Sequence, residues 1–338
     1  IGTFLHYLLE NVNRDVKAQG GYGQVADEEL RRMVRNYVKR YADECIDDYP
    51  HKSARFRYLF SRLRETAYSI ILSIAEEMRQ SDFAPVSFEL SFGGRDGDLP
   101  AITVREGGAS LSVSGKVDRV DGWLHDEKLY LRVVDYKTGQ KSFDLTDIRY
   151  GLGIQMLLYL FTLEREGASY FGHPIVPCGV LYQPARSVIL RQDRGISDEK
   201  LKAALQKELR RTGLVLGEPQ ILQAMEHSAL ESPCYLPIGV KKDGGVTGSV
   251  ATAAQLGHLG RYVDKLLHQI AGEIAGGNID ADPYARGPQD SACTYCAFAS
   301  ACYFDDSRDK RRPLYKTDSD EFWALMEREN GEEGHHGR

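Results

Sequence analysis

No apolar run in this 338-residue sequence is long enough to cross a bilayer; the longest, SIILSIA at 69–75, falls far short of the roughly 20 residues a span needs. No basic segment followed by an apolar core opens the sequence, so a secretion signal is not expected, and a cytoplasmic setting without a membrane partner is. Cysteine is scarce, with six residues, and three of these crowd into CTYCAFASAC (293–302). That distribution excludes a disulfide framework and has the spacing of ligands. There is no G-x-x-x-x-G-K-[ST] loop, which TGQKS (138–142) only superficially resembles, so the chain shows no phosphate-cradling ATP site of its own. Internal repeats are also lacking. The net charge of −6 gives no bulk argument for a nucleic-acid partner. Its distribution does more: residues 31–64 hold ten Lys/Arg against four acids. Such a run is a solvated helix face in the plainer reading, or a DNA-binding groove given the interleaved Tyr37, Tyr41, Phe56 and Tyr58.

What is present centres on two phrases, GKVDRVDGW (115–123) and LYLRVVDYKTG (129–139). The second alternates as a strand, so Asp135 and Lys137 share a face with Leu129, Leu131 and Val133. A face that is apolar for three positions and then carries an acid and an amine emerges from a core into a cleft. The preceding strand brings Asp118. Two carboxylates suit Mg²⁺, which prefers oxygen ligands and keeps several waters. A bound metal lowers the pKa of its water, and an ammonium such as that of Lys137 can orient the water or stabilise charge developing on phosphorus. The plainer alternative is an Asp–Lys ion pair at a strand end. Gln155 and Tyr159 stand four residues apart on the following helical segment, hence on one face. His6 and Glu10 form another such pair near the start, and Glu89 is a carboxylate at the centre of VSFELSF (86–92).

Apolar periodicity predicts helices over 3–14 with Thr3 as N-cap, 26–48 and 53–80, the last two separated by Asp-Tyr-Pro at 48–50. Strands are expected near 86–92, 101–105, 110–121 and 128–136, with turns at GGRDGD (93–98) and HDEK (125–128). A helix at 147–165, a strand at 176–183, and helices at 197–211, 218–230 and 251–275 follow. The fold class is α/β, a mixed sheet flanked by helices. The expected division is a helical part over 1–80, a core sheet over 81–185, a helical part with the cysteine cluster over 186–304, and a charged tail over 305–338 that is disordered at its end.

GTFLH (2–6), GKVDRVDGW, VVDYKTG (133–139) and QMLLY (155–159), in this order, resemble the RecB-type branch of the PD-(D/E)xK nuclease superfamily, and within it the AddB family. The resemblance implies a restriction-endonuclease-like core and a Mg²⁺- or Mn²⁺-dependent deoxyribonuclease, an exonuclease acting on single-stranded DNA beside an AddA-like helicase–nuclease partner. It implies that His6, Asp118 and Asp135 bind metal, that Lys137 serves catalysis, and that Gln155 and Tyr159 line the site and contact DNA. Cys293, Cys296 and Cys302 resemble the cysteine trio that holds a [4Fe–4S] cluster in some of these nucleases, although such thiolates also suit zinc. The fourth ligand of that cluster is implied upstream of GTFLH, outside this sequence, so an excised domain is expected, with an empty or zinc-bound loop as the alternative. Cys178 and Cys234 read as buried thiols. Two other functions remain open at this point: a CRISPR-associated or related exonuclease of another pathway, and a catalytically silent DNA-binding or assembly module.

Overall fold

In a computed structural model that describes residues 2–331 apart from 95–96, 189, 191–194 and 288, the chain opens with three helices, α1 (Gly2–Ala18), α2 (Asp27–Cys45) and α3 (Ala54–Met78). Strands β1 (Ala84–Phe92), β2 (Ile102–Glu106), β3 (Ala109–Val113), β4 (Gly115–His125) and β5 (Lys128–Lys137) come next, then helices α4 (Leu145–Arg149) and α5 (Gln155–Phe171). Strand β6 (Ile175–Pro184), helix α6 (Asp198–Leu209), strand β7 (Thr212–Leu216) and helix α7 (Pro219–Met225) follow. Short strands β8 (Ile238–Val240), β9 (Val246–Gly248) and β10 (Val250–Ala251) lead into helix α8 (Ala253–Ala275). The chain finishes with β11 (Tyr284–Gly287), β12 (Asp290–Ser291), α9 (Ala299–Cys302), β13 (Arg312–Pro313) and α10 (Ser319–Gly331). No helix among the described residues is long and apolar enough to cross a membrane.

The contacts divide the chain into two compact units, one of Ile1–Ala101, Ser114–Phe143 and Tyr159–Ala253, the other of Ile102–Val113, Asp144–Leu158 and Ala254–Arg338. The first unit is built on a six-stranded sheet in the order β1-β4-β5-β6-β7-β10. Its β1, β4 and β5 form an antiparallel meander, β5 and β6 run parallel, and β6 and β7 are antiparallel. A parallel neighbour requires a crossover, and α5 occupies the connection between β5 and β6. Phe4, Leu5, Leu8, Leu9, Val12 and Val16 of α1 are buried together with apolar stripes of α2 and α3. Ser53 caps α3 by accepting from the Phe56 amide at 3.2 Å.

The central strand β5 is buried on both faces. Arg132, Val134 and Tyr136 form the face that meets the helices: Arg132 reaches Glu77 of α3, and Tyr136 joins the helical core. A chain of charges runs through this layer. Asp121 accepts from Arg119 at 2.7 and 3.1 Å and from Arg132 at 3.0 Å. Glu77 accepts from Arg132 at 2.9 Å and from Arg211 at 2.5 Å, and all five side chains are at most 2% exposed. Burial alone would raise the Glu77 carboxyl, but Arg211, Arg132 and Arg119 outweigh it and hold it below the ordinary carboxylate range.

Several boundaries differ from the sequence reading. The single strand expected over 110–121 is two: β3 closes a hairpin with β2 in the second unit, and β4 opens at Gly115 in the first. The helix expected over 147–165 is broken into α4 and α5, with Gly151 and Gly153 between them at φ 73° and 66°. Thr3 lies inside α1, which begins at Gly2, so it is not the cap. The helix at 218–230 ends early, at Met225, and β7 was missed because five residues between two helical patterns carry little periodicity. Arg95 and Asp96 of the expected turn, and the tail end at 332–338, lie outside the described residues.

The charged tail contains more order than its composition suggests. Asp318 accepts from the Glu321 amide at 2.8 Å, and α10 buries Phe322, Trp323 and Met326. Its Glu321 pairs with Arg149 of α4 at 3.2 Å. Phe322→Ala is therefore expected to destabilise the second unit by about 3–5 kcal/mol, the usual cost of emptying a buried aromatic position. Urea denaturation checks it, and an unchanged midpoint would mean that α10 is not part of the core.

Candidate metal centre and strand-end site

The sheet register carries three carboxylates into one row. Phe88 pairs with Arg119 and Leu90 with Val117, which puts Glu89 of β1 opposite Asp118 of β4. Arg119 pairs with Val134, so the next step sets Asp118 opposite Asp135 of β5. Cross-strand partners share a face, so sequence positions 89, 118 and 135 become neighbours through pairing alone. Helix α1 adds His6, whose Nδ1 lies 3.3 Å from Asp118 Oδ1 and 3.8 Å from Glu89 Oε1.

The ligand atoms of His6, Glu89 and Asp118 all lie within 4.8 Å of one another, the only such group of three among the described residues. The Tyr136 amide donates to Asp118 Oδ2 at 2.9 Å, which ties that carboxylate to the end of β5. Lys116 Nζ holds Glu89 Oε2 at 2.6 Å. Glu89 itself has φ 51°, a left-handed conformation that a strand residue other than glycine seldom adopts. Hydrogen bonding to Asp118 and then Glu89 pushes the His6 imidazole up to about 10, against the opposing effect of burial. An imidazolium between two carboxylates marks a place that attracts positive charge, and two oxygen donors with one imidazole nitrogen fit a divalent cation.

Asp135 stands beside this group with a different partner. Lys137 Nζ is 2.6 Å from Asp135 Oδ2, a close ion pair at the end of β5. Burial raises the Asp135 carboxyl above its ordinary value and the Asp118 charge adds to this, while Lys137 and His6 draw it back. Lys137 remains about one-third exposed and lies 5.8 Å from the Tyr182 ring. The strand end thus offers a half-buried cation beside a carboxylate that burial has made a better proton acceptor.

Of the residues singled out in the sequence, His6 and Asp118 come together in a group whose atoms could hold a metal, and Asp135 and Lys137 come together as a pair. Tyr159 is buried against Phe92, with ring centroids 5.2 Å apart. Both rings pack on Gly115, where a Cβ would meet Phe92 at 2.6 Å and Tyr159 at 2.8 Å. The glycine that opens GKVDRVDGW is thus required by close packing, three residues before Asp118. Gln155 is the exposed first residue of α5, one turn before Tyr159. Glu89 entered the sequence reading only as a lone carboxylate, and Lys116 was missed; a strand pairing of β1 with β4 is the signal that would have joined both to Asp118.

Four of the ten basic side chains of 31–64 form ion pairs among the described residues. Arg32 pairs with Glu29, Lys39 with Asp43, Arg40 with Glu44, and Arg64 with Glu65. Those four pairs follow the helical spacing of a solvated face in three cases, Arg32–Glu29, Lys39–Asp43 and Arg40–Glu44. The cysteines of 293–302 are free thiols, Cys293 half-buried and Cys296 and Cys302 exposed, and they do not converge into a ligand group. As they stand they do not fit a cluster. Cys178 is buried, and burial pushes its thiol up; Cys234 is only half-buried.

The chain is similar to several AddB proteins, each named as a subunit of an ATP-dependent helicase/deoxyribonuclease. It is 33% identical to that of Acetivibrio thermocellus over 98% of this chain, and 31% identical to that of Clostridium acetobutylicum over 99%. With that of Thermoanaerobacter pseudethanolicus it shares 29% identity over 99% of its length. In each case the chain spans 29% of the length of the relative it matches. A family description, the PD-(D/E)XK nuclease superfamily, matches residues 1–303, and so takes in α1 with His6, the β1–β4–β5 meander and the cysteine loop. By that match, and by the row of acids with its lysine, the chain belongs to the PD-(D/E)XK nuclease superfamily.

Proposed function

We propose that this chain is the nuclease domain of a helicase–nuclease and hydrolyses phosphodiester bonds of single-stranded DNA as a Mg²⁺-dependent exonuclease. The observation that carries the reading is the row Glu89, Asp118, Asp135 with His6 above it and Lys137 at its end. His6, Glu89 and Asp118 would hold the metal, with the Asp135 carboxylate next to them. A bound divalent cation supplies charge neutralisation at phosphorus and a more acidic water. Asp135, whose carboxyl burial raises above its ordinary value, would accept a proton from the attacking water, and Lys137, paired with that carboxylate, would face the phosphate oxygens. Lys116 fixes Glu89, and the Tyr136 amide fixes Asp118, so neither carboxylate has to be ordered when substrate arrives.

The words deoxyribonuclease and subunit in the names of the similar proteins support DNA as substrate and a partner subunit, which in this reading is AddA-like and cytoplasmic. The purified chain is expected to degrade end-labelled single-stranded DNA with Mg²⁺ or Mn²⁺ and to stop in chelator. Asp118→Asn is expected to raise the Mg²⁺ concentration for half-maximal cleavage by at least about tenfold. Salt-sensitive DNA binding with no metal-dependent cleavage would instead make the chain a non-catalytic binding or assembly module.

A further inference from the structure

A cavity of about 500 Å³ opens in the first unit between α3 and α6, within the roughly 300–1,000 Å³ of small-molecule sites. One wall is apolar, formed by Leu72 of α3 with Leu205 and Leu209 of α6. The charged lining is Arg62, Arg186, Lys202 and Arg211 against Glu65 and Glu76. Arg64 holds Glu65 at 3.1 Å, and Arg186 pairs with Glu208 at 3.1 Å. The side chains of Arg62 and Lys202 have no hydrogen-bond or ion-pair partner among the described residues.

Behind the cavity lies the buried charge layer. It contains three guanidiniums (Arg119, Arg132, Arg211) and two carboxylates (Asp121, Glu77), one positive charge in excess. Arg211 is 2% exposed, lines the cavity, stands 5.0 Å from the Tyr235 ring centroid, and leaves its Nε without a partner. Buried charge without a counter-ion is costly, and an anion in the cavity would offset it. Helix α6 has a Ser197 cap but buries no residue fully, so its apolar side faces space that a ligand can fill. An anion alone would waste the leucine wall; a flat ring carrying a phosphate uses both.

We propose that this cavity binds one nucleotide, its phosphate on Arg62 and Lys202 and its base on the Leu72–Leu205–Leu209 wall. Pro184, which lines the cavity, is the β6 partner of Lys137, so the site opens one strand away from that lysine. The choice of a nucleotide as occupant rests on the nuclease reading above.

Calorimetric titration of the full chain in chelator, with deoxythymidine monophosphate, short oligothymidylate and inorganic phosphate, tests it. A nucleotide ligand is expected to bind, and to lose at least about tenfold in affinity in the double variant Arg62→Glu/Lys202→Glu and in Leu205→Trp, but not in Asp135→Ala. Binding of the mononucleotide identifies a free-nucleotide site, and binding of the oligomer alone identifies a site for one residue of a strand. Inorganic phosphate binding as tightly as the nucleotide, or affinity unchanged in both cavity variants, would overturn the proposal. Metal-dependent cleavage is scored separately: cleavage with unchanged binding in the variants sinks the cavity alone, and cavity-dependent binding without cleavage sinks the nuclease reading alone.

Discussion

Cleavage by a Lys137→Ala chain is expected to fall by about 10²–10³-fold while DNA affinity changes little, the pattern of a preorganised charge acting on the reaction rather than on binding. The geometry makes two contributions separable. Nζ lies 2.6 Å from Asp135 Oδ2 and is one-third exposed, so it can face both the carboxylate and a substrate phosphate. Asp135 is already raised by burial and by Asp118, with Lys137 as its nearest opposing cation. Removing the ammonium leaves the carboxyl raised further, so it stays protonated to higher pH. A proton-accepting Asp135 then works only at more alkaline pH, and the acid limb of the residual pH–rate profile is expected to move upward. Asp135→Asn should lower cleavage at least as much and remove that limb. Lys137→Arg keeps the charge in a wider planar group and is expected to recover only part of the rate. If the pair were merely an ion pair closing a strand end, all three variants would melt earlier and cleave at the wild-type rate.

How much of this was legible in the sequence depends on the range of the interaction. The alternation of 129–137 placed Asp135 and Lys137 on one face without any tertiary information, and helical stripes located α1, α2, α3 and α8 to within a few residues. Glu89 joined the metal group only through strand pairing, because nothing local distinguishes it from any other acid in a strand. GKVDRVDGW contains two aspartates with opposite fates: Asp118 goes to the site, and Asp121, three residues on and so on the other face, goes to the core. The phrase alone gives no reason to expect Arg119 and Arg132 to be fully buried, because charged residues are normally read as surface. Glu77, Arg132 and Arg211 are separated by 55 and 79 positions, and only the finished sheet and α3 bring them together. The break between α4 and α5 was hidden because apolar periodicity runs across Gly151 and Gly153.

That buried layer yields the largest expected stability effect. Asp121 accepts from both Arg119 and Arg132, so Asp121→Asn leaves three buried guanidiniums with Glu77 as their single carboxylate partner. Removing one member of a buried charge network typically costs about 3–5 kcal/mol, because the remaining charges lose a counter-ion without regaining water. The exposed Arg32–Glu29 pair, broken as a control, is expected to leave the unfolding midpoint almost unchanged. Urea titration followed by circular dichroism separates the two, and an Asp121→Asn midpoint no lower than the control's would mean the layer is not a cooperative network. Glu77 adds a pH dependence of definite sign. Its carboxyl is depressed in the folded chain, so its stabilising contribution is complete above the ordinary carboxylate value and is lost as pH falls through the folded one. Glu77→Gln should therefore remove stability near neutral pH and flatten the acid side of the curve. Acid sensitivity of the wild type then belongs in part to this layer, one residue along β5 from Asp135, since Tyr136 donates its amide to Asp118 while its hydroxyl accepts from Arg119 at 2.8 Å. A substitution that loosens the charges on one face of β5 is thus expected to reach Asp118 on the other through that tyrosine, lowering cleavage before the domain unfolds.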